Sequence, residues 1–259
     1  MDYFKKYEEN PFNDLAWNIP EQKQGYVNII GGNSQNFRTV VKVSEFLNTN
    51  SPIKTLNTIL PDTLKDKLPA LPNFVFLTST DSGSFQDEEG ISEVFNSGDF
   101  NLIIGDLSKN TITGKSFSGA YKSSEKPLLI TRDAVDLLAE NYPEKVLLNE
   151  NIILFATISQ LQKLLRAIYY PKMLLLSQSL IQVTEVLHKV TLSYPVSIVS
   201  LHNGQILIAK NGEVAAIPLE KTGFSPISFW MGEAVSKALV FNLFNPNNFI
   251  SATVSGLFS

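Results

Sequence analysis

The sequence predicts an α/β fold in which helices pack on both faces of a mainly parallel central sheet, giving three layers. Short runs rich in β-branched residues alternate along the chain with segments of helical periodicity, which is typical of βαβ units. The chain has 259 residues, of which 44% are hydrophobic, and this is enough for one substantial core. No internal repeat or linker composition divides the sequence, so we predict a single main domain.

The first half of the chain alternates strands and helices after a polar lead-in. The lead-in covers residues 1–24, and the main domain is predicted to span residues 25–259. The first strand, 26–30, stops at Gly31-Gly32, after which Asn33 or Ser34 is expected to cap a helix that runs to Leu47. Further strands are predicted at 53–59, 74–78, 102–105, 128–131 and 152–155, with helices at 62–68, 88–96, 132–140 and 157–168.

The second half begins with a long apolar helical pattern. Residues 172–188 are predicted to be helical, with Pro171 in the first turn. Two strands, 196–201 and 205–209, flank the tripeptide that begins at His202, and Asn211-Gly212 is the strongest hairpin signal in the chain. Two helical stretches, 227–244 and 247–257, complete the predicted pattern.

Composition excludes several classes of function. The chain has no cysteine and only two histidines, so disulfides, thiolate metal sites and histidine-rich metal sites are excluded, and no metal ligand is predicted. The net charge is -4 and the basic residues are scattered, which argues against nucleic-acid or membrane partners. The start of the sequence is charged and no apolar run approaches the ~20 residues that span a bilayer. We therefore expect a cytoplasmic protein.

Three strand-and-turn segments carry a resemblance to a known family. They are 25–34, GYVNIIGGNS; 100–105, FNLIIG; and 127–138, PLLITRDAVDLL. In their order and spacing they resemble the ribokinase-like superfamily, and within it the nucleotide-dependent NAD(P)H-hydrate dehydratases. The resemblance extends from about residue 25 to the end of the chain and implies a ribokinase-like α/β/α sandwich.

The resemblance also implies a chemistry and a set of site residues. Members of this family phosphorylate the hydroxyl of a hydrated nicotinamide ring with ATP or ADP and Mg²⁺, and loss of phosphate then regenerates NADH or NADPH. By its position in this family, Glu233 would be the catalytic base. Nucleotide-binding residues would be His202, Asn203 and Gly232, and substrate-binding residues would be Gly31, Gly32, Asn33, Gly105 and Asp133.

The phosphate-binding positions depart from the family pattern. The family uses a Gly-Ser-Gly-Asp turn at a helix N-terminus, where small residues let backbone N–H groups approach the phosphate. Here the turn is Trp230-Met231-Gly232-Glu233, so two bulky side chains replace glycine and serine. The glycine-rich loop after 100–105 keeps only its first glycine, and 155–160 has neither the histidine nor the glutamate of its family counterpart.

Two classes of function stay open on this basis. The first prediction is a divergent protein with an eroded phosphate site, weak or inactive as a catalyst, which binds a small molecule, a nucleotide or another protein and could form a homo-oligomer. The alternative is an active ATP- or ADP-dependent dehydratase, a carbon-oxygen lyase with Glu233 as base, or a small-molecule kinase of the same superfamily.

Each candidate residue also has a structural interpretation. Glu233 and Asp133 could simply be acids in the first turn of a helix, where the helix dipole favours them. Gly31-Gly32 could be a tight turn between strand and helix. His202 could lie in a solvent-facing turn rather than contact a nucleotide.

Overall fold

One ten-stranded sheet crosses the whole molecule. The structure is a computed structural model that describes residues 2–69, 71–141 and 143–259. Within them the strands are β1 (Phe4–Lys6), β2 (Gln24–Gly31), β3 (Ile53–Pro61), β4 (Phe74–Leu77), β5 (Phe100–Gly105), β6 (Leu128–Thr131), β7 (Ile152–Phe155), β8 (Ser197–His202), β9 (Gln205–Lys210) and β10 (Glu213–Pro218). Their order is β1-β10-β9-β8-β7-β6-β5-β2-β3-β4. The strands from β4 across to β8 are parallel, and β9 is antiparallel to both of its neighbours.

Helices cover both faces of the sheet. They are α1 (Arg38–Asn50), α2 (Glu88–Ser97), α3 (Thr111–Ser123), α4 (Asp133–Glu140), α5 (Pro143–Leu147), α6 (Ile158–Ala167), α7 (Leu180–Ser193), α8 (Pro226–Trp230), α9 (Glu233–Phe244) and α10 (Phe249–Phe258). Helices α2 to α7 contribute to one hydrophobic core, and α1 with α8 to α10 contributes to the other. The predicted three-layer α/β/α arrangement is confirmed.

The central strands are apolar on both sides because helices bury both sides. Along β5, Ile103 enters the core shared with α2 to α7, while Leu102 and Ile104 enter the core on the other face. All six residues of β5 are buried. Burying one such aliphatic side chain contributes about 1.5–3 kcal/mol, so these continuous apolar runs are the main reason that the sheet forms.

Two asparagine-glycine turns join the antiparallel strands. Asn211 and Gly212 have φ of 50° and 80°, and Asn203 and Gly204 have φ of 48° and 71°. Positive φ at both central residues is the type I′ geometry that matches the twist of a hairpin. The predicted hairpin at Asn211-Gly212 is confirmed.

Several predicted helix boundaries were wrong. Helix α1 begins at Arg38 with Phe37 at its N-cap, because the Asn33 side chain instead accepts the N–H groups of Gln35 and Asn36 within the preceding loop. Helix α7 begins at Leu180 rather than at 172, because a capping box between Ser179 and Gln182 starts it there.

The predicted helices at 62–68 and 227–244 also differ in the structure. The first is reduced to a short 3₁₀ turn at Asp62–Leu64. The second is broken into α8 and α9, because Gly232 has a φ of 110°, which no helix interior allows. Helices α3 and α5 and strand β1 were not predicted, since α3 is rich in small polar residues and the other two are short.

The lead-in is attached to the rest of the fold. Strand β1 pairs with β10, and the N–H of Tyr7 donates to the carbonyl of Ala216 at 2.9 Å. Asn10 Nδ2 donates to Ser255 Oγ at 3.1 Å. The proposed boundary at residue 25 stays a prediction. Across the described part of the chain, no helix combines the length and apolarity needed to traverse a bilayer.

Candidate functional site

A polar pocket of about 630 Å³ opens beyond the carboxyl ends of β2, β5 and β6. This edge is where ligands bind in open α/β sheets, because successive strand-to-helix loops diverge there. Most of the lining side chains are hydroxyls and amides from three loops, including Asn33, Asn36, Ser82, Ser84, Ser108 and Asn110. Three charged residues, Asp106, Lys109 and Asp133, also line it.

Of the five residues predicted to bind substrate, Asn33 and Asp133 line this pocket, whereas Gly31, Gly32 and Gly105 lie at the strand ends beside it. Gly31 lies so close to β5 that a Cβ there would be 2.7 Å from the Gly105 carbonyl oxygen. The N–H of Gly32 donates to the same carbonyl at 3.0 Å. Asn33 Nδ2 donates to the Asp106 carbonyl at 2.7 Å, so the loops after β2 and β5 are joined. Binding of a substrate by these residues stays a prediction.

Asp133 fixes the loop that follows β5. One carboxylate oxygen accepts the N–H of Asp106 at 2.5 Å, and the other accepts the N–H of Leu107 at 3.1 Å. Burial raises the pKa of Asp133, and the two backbone hydrogen bonds partly oppose that shift. Gly105 has a φ of 93°, and a Cβ there would collide with the Asp133 carboxylate. The side chain of Asp133 therefore has a structural task besides any contact with a ligand.

Strained backbone is concentrated at the same edge. Asp106, Ser108 and Arg132 have φ of 57°, 67° and 56°, in the region that side chains other than glycine rarely adopt. Arg132 Nη2 also forms an ion pair with Asp106 Oδ1 at 3.0 Å. Such residues cost about 1–3 kcal/mol each and cluster at functional sites.

Sequence reasoning missed most of the polar residues of this pocket. The lining residues Asp106 and Ser84 were not among the candidates, nor was Arg132, the ion-pair partner of Asp106, and nothing local marks a serine in a loop as a ligand contact. Arg132 did carry a signal, because it directly follows β6 and therefore lies at the carboxyl edge of the sheet.

Glu233 lies elsewhere. It is exposed in the first turn of α9 and lines two hollows between α1 and α9, together with Phe46, rather than the polar pocket. Gly232 precedes it, and a Cβ on Gly232 would collide with Val43 of α1. The N-terminus of α9 is thus packed closely against α1.

The indole of Trp230 packs against the aromatic residues at the end of β7. Its ring centroid lies 6.1 Å from that of Phe155 and 4.8 Å from that of Phe229, in edge-to-face geometry. Trp230 is half-buried, whereas the next residue, Met231, is 53% exposed. The bulky residue at the family's glycine position therefore belongs to the hydrophobic packing.

His202 is buried, which corrects its interpretation as part of a solvent-facing turn. It is 3% exposed, and its Nε2 lies 2.8 Å from the carbonyl oxygen of Gln178. The ring therefore ties the end of β8 to the loop before α7. Asn203 is exposed in the adjoining hairpin turn, and neither residue lines the polar pocket. A nucleotide contact by His202, Asn203 or Gly232 stays a prediction.

No protein-family model matches the chain, and no curated protein matches its sequence. A hypothetical protein from Streptococcus mutans is similar in structure, with a TM-score of 0.66 at 15% identity over 97% of this chain and 88% of that one. A ribokinase-like superfamily protein from Enterococcus faecalis gives a TM-score of 0.64 at 14% identity, over 99% and 85%.

The chain has the ribokinase-like fold. A third similar structure is the ADP/ATP-dependent NAD(P)H-hydrate dehydratase from Bacillus subtilis, co-crystallised with ATP/Mg²⁺ and soaked with CoA. Its TM-score is 0.60 at 11% identity, over 97% of this chain and 86% of that one. Identities this low show a common fold, while activity has to be argued from the site.

Proposed function

We propose that this ribokinase-like protein binds a small polar molecule in the pocket beyond β2, β5 and β6 without transferring a phosphoryl group. The observation that carries the proposal is that two parts which phosphoryl transfer needs together line different cavities. The candidate base, Glu233, borders the hollows between α1 and α9, whereas Asn33 and Asp133 line the polar pocket. A base acts only within hydrogen-bond reach of the hydroxyl that it deprotonates.

The surroundings of Gly232 do not fit a phosphate. A phosphate cradle needs backbone N–H groups that open to a polar cavity. Here the hollow at the start of α9 is lined by Val43, Phe46 and Met231 besides its polar residues, and the indole of Trp230 fills the space beside Phe155. ATP or ADP with Mg²⁺ therefore has no matching cradle in this arrangement.

One observation favours the alternative, an active dehydratase. Glu233 is exposed in the first turn of a twelve-residue helix, the position from which the resembled family supplies its base. The similar Bacillus subtilis enzyme was crystallised with ATP/Mg²⁺. If phosphoryl transfer takes place here, it must depend on this carboxylate.

Turnover measurements distinguish the two functions. Hydrated NADH is incubated with Mg²⁺ and ATP or ADP, using the wild-type protein, Glu233→Gln, and Glu93→Gln as a control at an exposed acid of α2. We expect no turnover by any of the three. Turnover that Glu233→Gln abolishes and Glu93→Gln preserves would establish the alternative.

Binding is tested separately by thermal shift. A ligand present at a hundred times its dissociation constant adds about 2.7 kcal/mol to the free energy of unfolding. ATP, ADP, AMP and NADPH with Mg²⁺ are therefore compared with small hydroxylated compounds, and we expect only the latter to raise the melting temperature. Self-association stays a prediction, for which light scattering after size exclusion is the measurement.

A further inference from the structure

Only one of the two terminal nitrogens of the Arg132 guanidinium has an acceptor among the described residues. Nη2 donates to Asp106 Oδ1, but Nη1 is buried and has no acceptor among the described residues. A carboxylate can accept from both nitrogens of an arginine in parallel, yet Asp106 engages one of them. A buried charged donor without an acceptor is costly, so a second acceptor is expected to reach it.

The backbone holds this guanidinium in place at some cost. Arg132 has φ 56° and ψ -138°, a conformation that glycine would adopt more readily. Its carbonyl accepts from Gln160 Nε2 at 2.7 Å and from the N–H of Val135 at 3.1 Å. An arginine in a position that favours glycine indicates that its side chain is needed there.

Arg132 is one hydrogen bond from the pocket wall, because its partner Asp106 lines the pocket. The two acidic residues of the lining already have partners: Asp106 pairs with Arg132, and Asp133 accepts two backbone N–H groups. Lys109 lines the same pocket, is exposed, and makes no ion pair within the described ranges. Lys109 is therefore a cation on the lining itself, and Arg132 is a second cation directly behind it, paired with the lining residue Asp106.

We infer that the pocket takes a small hydroxylated molecule that carries an oxyanion, and that Arg132 selects it by giving its free Nη1 to that group. This rests on the proposed function of the pocket and names the chemical class of its ligand. Hydroxyls and amides such as Ser84, Ser108 and Asn110 suit the hydroxyl groups of that ligand. A carboxylate and a phosphate monoester both present the paired oxygens that a guanidinium binds.

The test compares two anions with a matched neutral compound. Binding of glycerate, glycerol 3-phosphate and glycerol is measured by calorimetry at constant ionic strength. The proteins are the wild type, Arg132→Lys, which keeps the charge but loses the fork, and Arg166→Lys as a control at an exposed arginine of α6. Circular dichroism melts establish that each variant is folded, and Lys109→Ala supplies a second variant on the pocket lining.

We expect at least one anion to bind wild type about tenfold more tightly than glycerol, and Arg132→Lys to remove about that tenfold preference while Arg166→Lys keeps it. Lys109→Ala should weaken the binding of the anion only slightly, because the charge of this exposed lysine is screened by salt. Binding of glycerate would identify the oxyanion of the ligand as a carboxylate, and binding of glycerol 3-phosphate would identify it as a phosphate. The inference is overturned if neither anion binds, if glycerol binds equally, or if Arg132→Lys behaves as wild type. None of these outcomes bears on the proposed absence of phosphoryl transfer, which is tested only by the turnover measurements with hydrated NADH.

Discussion

The Asp133 carboxylate accepts the backbone N–H of Asp106 at 2.5 Å, so the first turn of α4 holds the loop that follows β5. The same loop pairs with the strand-end residue Arg132 through the side chain of Asp106. These two contacts of Asp106, one through its backbone and one through its side chain, meet at one edge of the sheet, and the shape of the polar pocket depends on them.

Replacing Asp133 by asparagine should destabilise the protein. An amide can accept the N–H of Asp106 but leaves the N–H of Leu107 facing a donor, which costs about 1–3 kcal/mol. Burial raises the pKa of Asp133 above its ordinary value of 3.8. A raised folded pKa means that the carboxyl contributes stability below the ordinary value and loses it as pH rises through the folded value. The deficit of Asp133→Asn should therefore be larger near pH 3 than at pH 7.

Urea unfolding of wild type and Asp133→Asn at both pH values provides the measurement. Asp136→Asn is a suitable control, since it lies on the same helix and its side chain faces Gln160 and Lys163 instead of the loop after β5. A deficit that increases with pH would contradict the direction given for Asp133.

Gly105→Ala should be more costly than the same change at another glycine with positive φ. Gly223 has a φ of 74° and open space around it, so alanine there should cost only the left-handed backbone penalty, about 1–2 kcal/mol. At Gly105 the φ is 93° and the new methyl group would also collide with Asp133, which adds about 1–3 kcal/mol of overpacking. Thermal unfolding of both variants measures the difference. Equal losses of stability would show that the Asp133 side chain can move away from the new methyl group without cost.

The layers of the fold were predictable from sequence because strands that are buried on both faces of the sheet form short apolar runs, and these runs alternate with helices along the chain. Residues 128–131 and 152–155 were predicted as strands with the bounds that β6 and β7 have in the structure. Helix α3 was missed because its buried side includes Thr113, Ser116 and Ser118, which carry no apolar periodicity. Tertiary packing, with Thr113 Oγ1 donating to the Phe85 carbonyl at 2.6 Å, stabilises this helix.

The candidate site was predictable only where a backbone turn determines it. Gly105 and Asp133 were both selected from the sequence, 28 positions apart in numbering, and the structure brings them into contact. Arg132 lies beside Asp133 in the chain, but its strained φ depends on contacts from α6 and from the loop after β5 that no local pattern records. The burial of His202 likewise depends on a carbonyl 24 positions away.

The strain at Arg132 can be measured by comparing two substitutions. Both Arg132→Ala and Arg132→Gly remove the ion pair with Asp106, but only glycine accepts φ 56° and ψ -138° without strain. Glycine is ordinarily about 0.5–1 kcal/mol less stable than alanine inside a helix or strand. Here we expect Arg132→Gly to be the more stable of the two by about 1 kcal/mol. Chemical unfolding decides the order, and an alanine variant that is the more stable would mean that the backbone at this position is relaxed.

Rebuilding the family's turn should not restore phosphoryl transfer. The double variant Trp230→Gly with Met231→Ser creates a Gly-Ser-Gly-Glu turn before α9, but Gly232 still packs on Val43 and Glu233 still borders the hollows beside α1. The variant also loses the indole that packs against Phe155 and Phe229, and for this half-buried tryptophan we expect a loss of about 2–4 kcal/mol. Met231→Ser alone, at an exposed side chain, is the matched control and should change stability little. Melting curves and the hydrated-NADH assay are run on both variants. Turnover by the double variant but not by Met231→Ser would contradict this prediction, because it would show that removal of the indole lets Glu233 and the phosphoryl group come together.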